Sequence, residues 1–275
     1  MGHGRVAAGP GSRRRADAGF AIASCAVLAA YNNVVGMQSW HRRRYPVLNA
    51  CATAAALSAA AASGLAATDL GLGRAELLPG LRIGSRLAAA TAGGWLAVAL
   101  VPTARPLLGD ERITGLTGRE VAYQVMVRIP VGTVLWEETA FRGVLQAALR
   151  RVMPGGTAVA VASGVFGIWH IRPTIGALRA NKLAAGPGKT LAAVSAGVAA
   201  TAAGGALLSW LRIRSGSLAA PVLLHLATNC AGPLAAYAIA RLAANGGQTP
   251  VPRPTPSPAA RPHGLRPAGH IAPAS

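Results

Sequence analysis

The sequence predicts an all-α protein, a polytopic bundle of about seven transmembrane helices. Two observations on composition support this prediction: the chain of 275 residues is 52% hydrophobic but only 13% charged, and its mean hydropathy is +0.40. These values are high for a water-soluble domain. A third observation is that the apolar residues form long runs separated by short stretches that carry arginine. Each crossing of a bilayer takes about 20 residues, so the chain can hold about six to eight spans.

Apolar runs with charged flanks give the order of the predicted spans. They cover 19–37, 46–67, 86–104, 121–149, 157–171, 190–211 and 217–243. Residues 1–18 are rich in glycine and arginine and are expected to be disordered, as is the Pro-rich tail at 244–275. The first run follows three arginines, as a signal peptide would, but no small-residue cleavage site precedes a soluble domain. We therefore interpret it as a retained helix.

Prolines and small residues modify the predicted helices. The fourth span begins with Arg128 and Pro130, so we expect an interfacial start and a kink into the bilayer at the proline. The fifth span is expected to end before Pro173, because proline disfavours helical geometry at the residue before it. The second, sixth and seventh spans are rich in small residues, which allow helices to approach closely in lipid.

The distribution of charge bears on partners and topology. A net charge of +19 is compatible with nucleic-acid binding, but the arginines lie in short runs between apolar segments and no nucleic-acid motif accompanies them. We therefore expect no nucleic-acid partner and interpret these runs as contacts with lipid headgroups. Positive residues flank spans on both sides, so the orientation stays open. Cys25, Cys51 and Cys230 lack metal or redox spacing and are interpreted as small buried residues.

Three polar clusters lie within the apolar runs of the second half, at 137–142, 166–170 and 225–229. Ionisable groups at membrane depth are costly, and they usually face a protein interior or a wet cavity where they perform a task. Because the three clusters lie in three of the last four spans, we predict that they converge on one buried reaction centre.

Helical spacing predicts how the groups pair. Glu138 and Arg142 are four residues apart on one helix face, which favours an ion pair. Glu137 is rotated by about 100° from Glu138. The two carboxylates are therefore not expected to share a partner easily, and Glu137 is expected to project into the bundle.

Such groups could activate water in two ways, and the residues by themselves leave both open. A desolvated carboxylate beside a neutral histidine can deprotonate water, while a second histidine and an amide donate hydrogen bonds to the oxyanion. Alternatively, two histidines and a carboxylate can hold a Zn²⁺ that activates the water. Other intramembrane chemistries are excluded, because H-E-x-x-H and G-x-S-x-G are absent and no aspartate lies in the last four spans.

The order E-E-x-x-x-R, F-x-x-x-H and H-x-x-x-N on successive helices resembles the CAAX prenyl protease and bacteriocin-processing (CPBP, or Abi) family of intramembrane proteases. The resemblance covers 119–243, which is thus expected to be a catalytic core formed by the last four spans, behind N-terminal transmembrane helices at 19–118. It implies that Glu137 and His170 activate water. It implies further that His225 and Asn229 stabilise the oxyanion.

The resemblance also bears on support residues, cofactors and partners. Glu138, Arg142 and Phe166 are expected to support the site structurally. Family members are often called metalloproteases, although a metal-free glutamate mechanism is also proposed for them. We favour no metal, with Zn²⁺ on Glu137, His170 and His225 as the alternative. The expected partners are the lipid bilayer, that of a bacterial plasma membrane, and a membrane-associated peptide or protein substrate. The oligomeric state stays open.

Two other classes of function remain as alternatives. A transporter or a proton or ion pathway places similar groups at the midplane, although repeat symmetry between halves would then be expected and the buried charge here is confined to the second half. A catalytically silent scaffold that binds a partner membrane protein is the third class. Trp136 and Trp169 are interpreted as pocket walls or interfacial anchors. His41, His263 and His270 lie outside the predicted spans and receive no role.

Overall fold

The computed structural model describes residues 10–183 and 186–245, and within these ranges it contains helices, turns and loops but no strand. The predicted all-α bundle is therefore confirmed. Its main helices, in chain order, are α1 (Pro10–Val34), α2 (Tyr45–Ala62), α3 (Leu77–Leu100), α4 (118–150), α5 (Gly155–Trp169), α6 (Ile171–Ala180), α7 (Pro187–Ser215) and α8 (Ala219–Asn245). Short helical turns lie between them at Val35–Met37, Ser39–Arg43, Pro102–Leu108 and Glu111–Thr114.

Six helical stretches in the described ranges are long and apolar enough to cross a membrane, one fewer than the seven predicted spans. They are Gly11–Met37, Tyr45–Ala62, Leu77–Leu100, Gly155–Ala180, Pro187–Ser215 and Ala219–Ala244. The remaining predicted span is α4, which is helical at the expected place but carries buried charges. Its residues 136–149 are all buried by neighbouring helices. This half of the helix, which carries the buried charges, is shielded from lipid by the protein itself.

The ends of the predicted elements differ in two places. α1 begins at Pro10, so residues 10–18, expected to be disordered, are helical. Asp17 forms an ion pair of 3.2 Å with Arg151, just after α4, which ties this part of α1 to the bundle. α3 begins at Leu77 rather than at 86, because Arg82 and Arg86 are exposed on its first turns and do not interrupt the helix. Residues 1–9 and 246–275, including nearly all of the predicted tail, lie outside the described residues.

α4 is one helix whose geometry alternates between α and π. Its π segments, Gln124–Leu135 and Thr139–Leu145, flank the turn Trp136–Glu138. Pro130 lies in the first π segment. Proline lacks an N–H and clashes with the preceding turn of an α-helix, and a wider π turn accommodates this mismatch. At the place of the predicted kink, α4 therefore has π geometry around Pro130.

α5 ends where Pro173 predicted it would. The helix stops at Trp169, His170 has non-helical dihedral angles (φ −92°, ψ 4°), and α6 begins at Ile171. Pro173 then occupies the first turn of α6, where a missing N–H leaves no helical hydrogen bond unmade. His170 thus lies in the junction between two helices.

Small residues allow the closest helix contacts. α3 packs extensively against α8, and α5 against α7. A Cβ atom on Gly84 would lie 3.0 Å from the backbone of Ala220, and one on Gly167 would lie 2.8 Å from the carbonyl oxygen of Val198. Small residues at such crossings let helix backbones approach each other in lipid. Through the α3–α8 contact, the N-terminal helices belong to the same bundle as the motif helices.

Candidate active site

The three motif clusters meet at one cavity of about 440 Å³. Glu137 from α4, His170 at the end of α5, and His225 and Asn229 from α8 all line it. Its remaining wall is formed by Thr91, Thr133, Phe166 and the α7 and α8 side chains Ala200, Thr201, Gly204, Leu207, Leu208, Leu224 and Thr228. The structure thus brings the four predicted catalytic residues together. Thr91 of α3 adds a contribution from the N-terminal half.

Glu138 and Arg142 form the ion pair that their spacing predicts. Nη1 of Arg142 lies 3.0 Å from Oε1 of Glu138, and the two side chains are almost wholly buried. The guanidinium also lies over the ring of Phe166, with Cζ 4.0 Å from the ring centroid. Removing one partner of a buried pair leaves an uncompensated charge. The pair and the ring together therefore hold α4 against α5.

His225 lies between the two glutamates. Its Nδ1 is 2.7 Å from Oε1 of Glu138, and its Nε2 is 3.9 Å from Oε2 of Glu137. The expectation that the acids do not share a partner is therefore wrong. The two side chains leave α4 about 100° apart, but an imidazole arriving from α8 presents one nitrogen to each. Because an ionised carboxylate only accepts, Nδ1 of His225 is the donor to Glu138.

Glu137 has one fixed oxygen and one free oxygen. Nε1 of Trp169 donates a hydrogen bond of 3.1 Å to Oε1, whereas Oε2 has no hydrogen-bond partner among the described residues. Trp169 itself is 1% exposed and does not face lipid. Its ring stacks on Tyr31 of α1, with centroids 5.8 Å apart and planes within 1°.

Trp169 is a site residue whose role the sequence reasoning missed. It is neither a cavity wall nor an interfacial anchor but the hydrogen-bond donor to Glu137. The sequence did contain a signal for this hydrogen bond. A buried indole N–H needs an acceptor, and Glu137 was the carboxylate to which no partner had been assigned. Trp136 is also buried, but its Nε1 has no partner in the described part of the chain.

His170 presents one nitrogen to the protein and keeps the other available. Its Nδ1 lies 2.8 Å from the carbonyl oxygen of Phe166, which can only accept, so Nδ1 donates. In the neutral ring, Nε2 then carries the lone pair. The ring of Phe166 contacts that of His170 at 4.6 Å and that of His225 at 6.4 Å between centroids. Phe166 thus packs against both histidines as well as Arg142.

Asn229 completes the set of motif residues at the cavity. It lies on α8 one turn after His225 and is only partly buried. Its side chain makes no hydrogen bond within residues 10–183 and 186–245, so the amide is available to a ligand. Asn229 also lines a second, smaller cavity.

A buried polar network behind the site contains His41, to which no role was assigned. Its ring is 1% exposed, and its Nε2 lies 3.1 Å from Oη of Tyr31 and 3.2 Å from Oδ1 of Asn49. Burial lowers the pKa of the His41 imidazole, which favours the neutral ring. Asn49 in turn donates to the carbonyl of Gly132 in the π segment of α4. The network therefore links α1 and α2 to the helix that carries Glu137. His263 and His270 lie outside the described residues.

A metal site can be tested on the same geometry. A catalytic zinc ion takes three protein ligands at about 2.0–2.2 Å. Among the described residues, no three His, Cys, Asp or Glu side chains are grouped closely enough to hold one. The alternative ligand set Glu137, His170 and His225 is therefore not such a group. As placed, these residues do not fit a metal ion.

Comparison with known proteins agrees with the motif geometry. A family model described as type II CAAX prenyl endopeptidase, Rce1-like, matches residues 120–231. The match runs from the first turn of α4 into α8 and contains every motif residue. Over this segment, which is less than half of the chain, the chain is similar to that family.

The six candidate spans and this similarity both indicate a multi-pass membrane protein, and the motif residues lie in the part that the family model covers. No curated protein and no solved structure matches the chain.

Proposed function

We propose that this chain is an integral membrane endopeptidase that hydrolyses a peptide bond in a membrane-associated peptide or protein. One observation carries the proposal. The buried carboxylate of Glu137 is fixed at Oε1 by Trp169, and its Oε2 has no hydrogen-bond partner in the described part of the chain. It borders a cavity that His170, His225 and Asn229 also line.

Water activation is assigned to Glu137 and His170. Oε2 of Glu137 and Nε2 of His170 are both acceptors, because the other polar atom of each side chain is already bonded to the protein. A water molecule has two protons and can donate one to each of them. Its lone pair is then left for the carbonyl carbon of the substrate. Glu137 takes the proton as the water attacks and returns it to the leaving amine.

Oxyanion stabilisation is assigned to His225 and Asn229. The Asn229 amide has free donors, but Nε2 of His225 can donate only if it carries a proton. Since Nδ1 already donates to Glu138, this requires the imidazolium form. Such a form also balances charge, because two buried carboxylates otherwise face one buried guanidinium. Glu138 and Arg142 therefore act by holding His225 and do not touch the substrate.

The mechanism routes no step through a metal ion. Its general base is Glu137, whose Oε2 has no hydrogen-bond partner among the described residues, and preorganised donors replace the Lewis acid. The small and apolar wall formed by α7, with Ala200, Gly204 and Leu208, is suited to a substrate that reaches the site from the bilayer. The natural substrate is proposed only by class, as a membrane-tethered peptide or protein.

The test compares cells and purified protein that carry either the wild type or Glu137→Gln. In membrane proteomes, Glu137→Gln should accumulate precursor peptides whose cleaved forms are present with the wild type. Purified wild-type protein in vesicles should then cleave a synthetic version of the accumulated precursor, while Glu137→Gln does not. Both proteins should show the same thermal unfolding midpoint, so that a loss of activity reports on chemistry. If folded Glu137→Gln cleaves the peptide as fast as the wild type, the proposal is contradicted.

A further inference from the structure

A second cavity of about 280 Å³ adjoins the reaction cavity. Thr228 and Asn229 of α8 line both cavities. From there the second cavity extends between Trp95 of α3, later residues of α8 and the connection between α3 and α4, where Asp110 and Arg112 line it. It therefore leads from Asn229, the proposed oxyanion donor, to a loop outside the apolar helices.

The polar end of this cavity is built around an ion pair. Nε of Arg112 lies 3.0 Å and 3.1 Å from the two carboxylate oxygens of Asp110, and Nη2 lies 2.6 Å from Oδ2. The Arg112 guanidinium holds the pKa of Asp110 below its usual range, and the Asp110 carboxylate raises that of Arg112. Asn181, before α7, adds a hydrogen bond of 3.3 Å to Oδ1 of Asp110. The pair is thus charged and fixed in place.

The hydrogen bonds that Arg112 already makes determine which of its N–H groups a ligand can accept from. Nε and Nη2 bond to Asp110, so the N–H groups of Nη1 remain for an acceptor from outside. Half of the Arg112 side chain is exposed. At the other end of the cavity, the Asn229 amide can donate and accept. The walls between them are apolar, with Trp95, Ile113 and Pro233 among them.

We propose that the second cavity binds the substrate segment on the non-anchored side of the scissile bond, and that Arg112 donates hydrogen bonds to an oxygen of that segment. The ligand's identity as a peptide rests on the proposed function. A tether in the bilayer fixes one side of the substrate, so the other side must leave the reaction cavity, and this path starts at Asn229 and ends at the connection between α3 and α4. The cavity is at the small end of ligand sites, which suits a few residues and not a lipid chain.

The acceptor oxygen could belong to a main-chain carbonyl or to a terminal carboxylate. Both offer the same acceptor chemistry to a guanidinium. A peptide made in two forms, with a free C-terminal carboxylate and with a C-terminal amide, distinguishes the two sources.

The test measures binding in the Glu137→Gln background, where cleavage does not interfere. The probe is a short N-palmitoylated, dye-labelled peptide in vesicles that contain the full chain, prepared in both terminal forms. Arg112→Gln should weaken binding about tenfold or more, because a hydrogen bond to a charged group is lost. Arg119→Gln is the matched control, since Arg119 is also exposed near the start of α4 but lines neither cavity. It should leave the Kd unchanged.

The outcomes separate the alternatives. Weaker binding of both peptide forms to Arg112→Gln assigns a main-chain carbonyl, and weaker binding of the acid form alone assigns a carboxylate. Ala236→Leu provides a second variant that fills the cavity from α8 and keeps the ion pair. An unchanged Kd in a folded Arg112→Gln overturns the inference. If Arg112→Gln is unfolded, an unchanged Kd in Ala236→Leu overturns the inference instead. If the wild type fails to cleave a peptide whose binding depends on Arg112, that result contradicts the proposed function and leaves the binding role of Arg112 intact.

Discussion

Nε1 of Trp169 donates a hydrogen bond of 3.1 Å to Oε1 of Glu137, and so links the last residue of α5 to the acid on α4. The bond orients the carboxylate, because the second oxygen then has a defined direction and no hydrogen-bond partner within residues 10–183 and 186–245. Tyr31 stacks on the indole from α1 and fixes it in turn. A helix outside the matched family segment therefore helps to position the proposed general base.

The first prediction tests this relationship. Trp169→Phe keeps an aromatic ring against Tyr31 but removes the donor, so turnover should fall about tenfold to a hundredfold, the range expected for a lost hydrogen bond to a charged group. Trp136→Phe is the matched control, because Trp136 is buried in the same aromatic cluster but its Nε1 has no partner among the described residues. It should retain nearly full activity. Equal losses in the two variants would show that Trp169 acts only through packing.

The second prediction separates the two glutamates. Glu137→Gln should abolish cleavage and leave the unfolding midpoint close to that of the wild type, because only the proposed base is lost. Glu138→Gln removes the charge that pairs with Arg142 and accepts from His225. Breaking a buried pair costs about 3–5 kcal/mol, so this variant should lose stability first. The measurements are the cleavage rate and the thermal unfolding midpoint of the two purified variants. A folded but inactive Glu138→Gln beside an active Glu137→Gln would reverse the two roles.

Local periodicity was sufficient for the parts of the site that lie on one helix. The Glu138–Arg142 pair follows from i,i+4 spacing alone, and the order of the spans follows from the apolar runs. The position of His225 between both acids could not be derived this way. It depends on how α8 is rotated against α4. That rotation depends in turn on contacts of α8 with other helices, such as the close approach of Gly84 of α3 to Ala220. Spacing within a helix carries no information about the rotation of its neighbours.

Two further differences have a similar physical origin. α4 was predicted as a span among others, yet its residues 136–149 are all buried, because helices from both halves of the chain pack around them. His41 lies outside the apolar runs but is buried, because Tyr31 and Asn49 from two different helices provide its polar partners. Burial of a polar residue depends on partners that are distant in sequence.

The third prediction concerns the oxyanion donors. His225→Ala and Asn229→Ala should each lower turnover by about 10² to 10³ if they stabilise the transition state. Substrate KM should change much less, because the oxyanion develops only during reaction. Leu234→Ala serves as the control on the same helix, since Leu234 is exposed and lines neither cavity. Its turnover should stay near the wild-type value. A loss of binding with preserved turnover in Asn229→Ala would indicate substrate anchoring instead.

The fourth prediction uses two adjacent glycines of α7. A Cβ on Gly205 would lie 3.0 Å from Cδ1 of Phe166 and 3.2 Å from Nη2 of Arg142, whereas one on Gly204 would meet nothing within 4 Å. Gly205→Ala should therefore destabilise the protein by about 1–3 kcal/mol through overpacking. Gly204→Ala should be neutral or slightly stabilising, because alanine favours a helix over glycine by about 0.5–1 kcal/mol. Thermal unfolding of the two variants in the same detergent is the measurement. Equal midpoints would mean that Phe166 and Arg142 move aside without cost.

The last prediction concerns metal dependence. A zinc ion on Glu137, His170 and His225 would take the proposed base as a ligand, and Glu138 could not replace it because it is bonded to Arg142 and His225. The gap of 3.9 Å between His225 Nε2 and Glu137 Oε2 leaves these atoms side by side, but His170 does not complete a three-ligand group with them. We therefore expect purified, active protein to contain zinc well below one ion per chain, measured by elemental analysis, and to keep its cleavage rate after chelation. Glu137→Gln should stay inactive with or without added zinc. Near-stoichiometric zinc whose removal and return switch cleavage off and on would show that the three side chains move together around an ion, and Glu137 would then be a ligand and not the base.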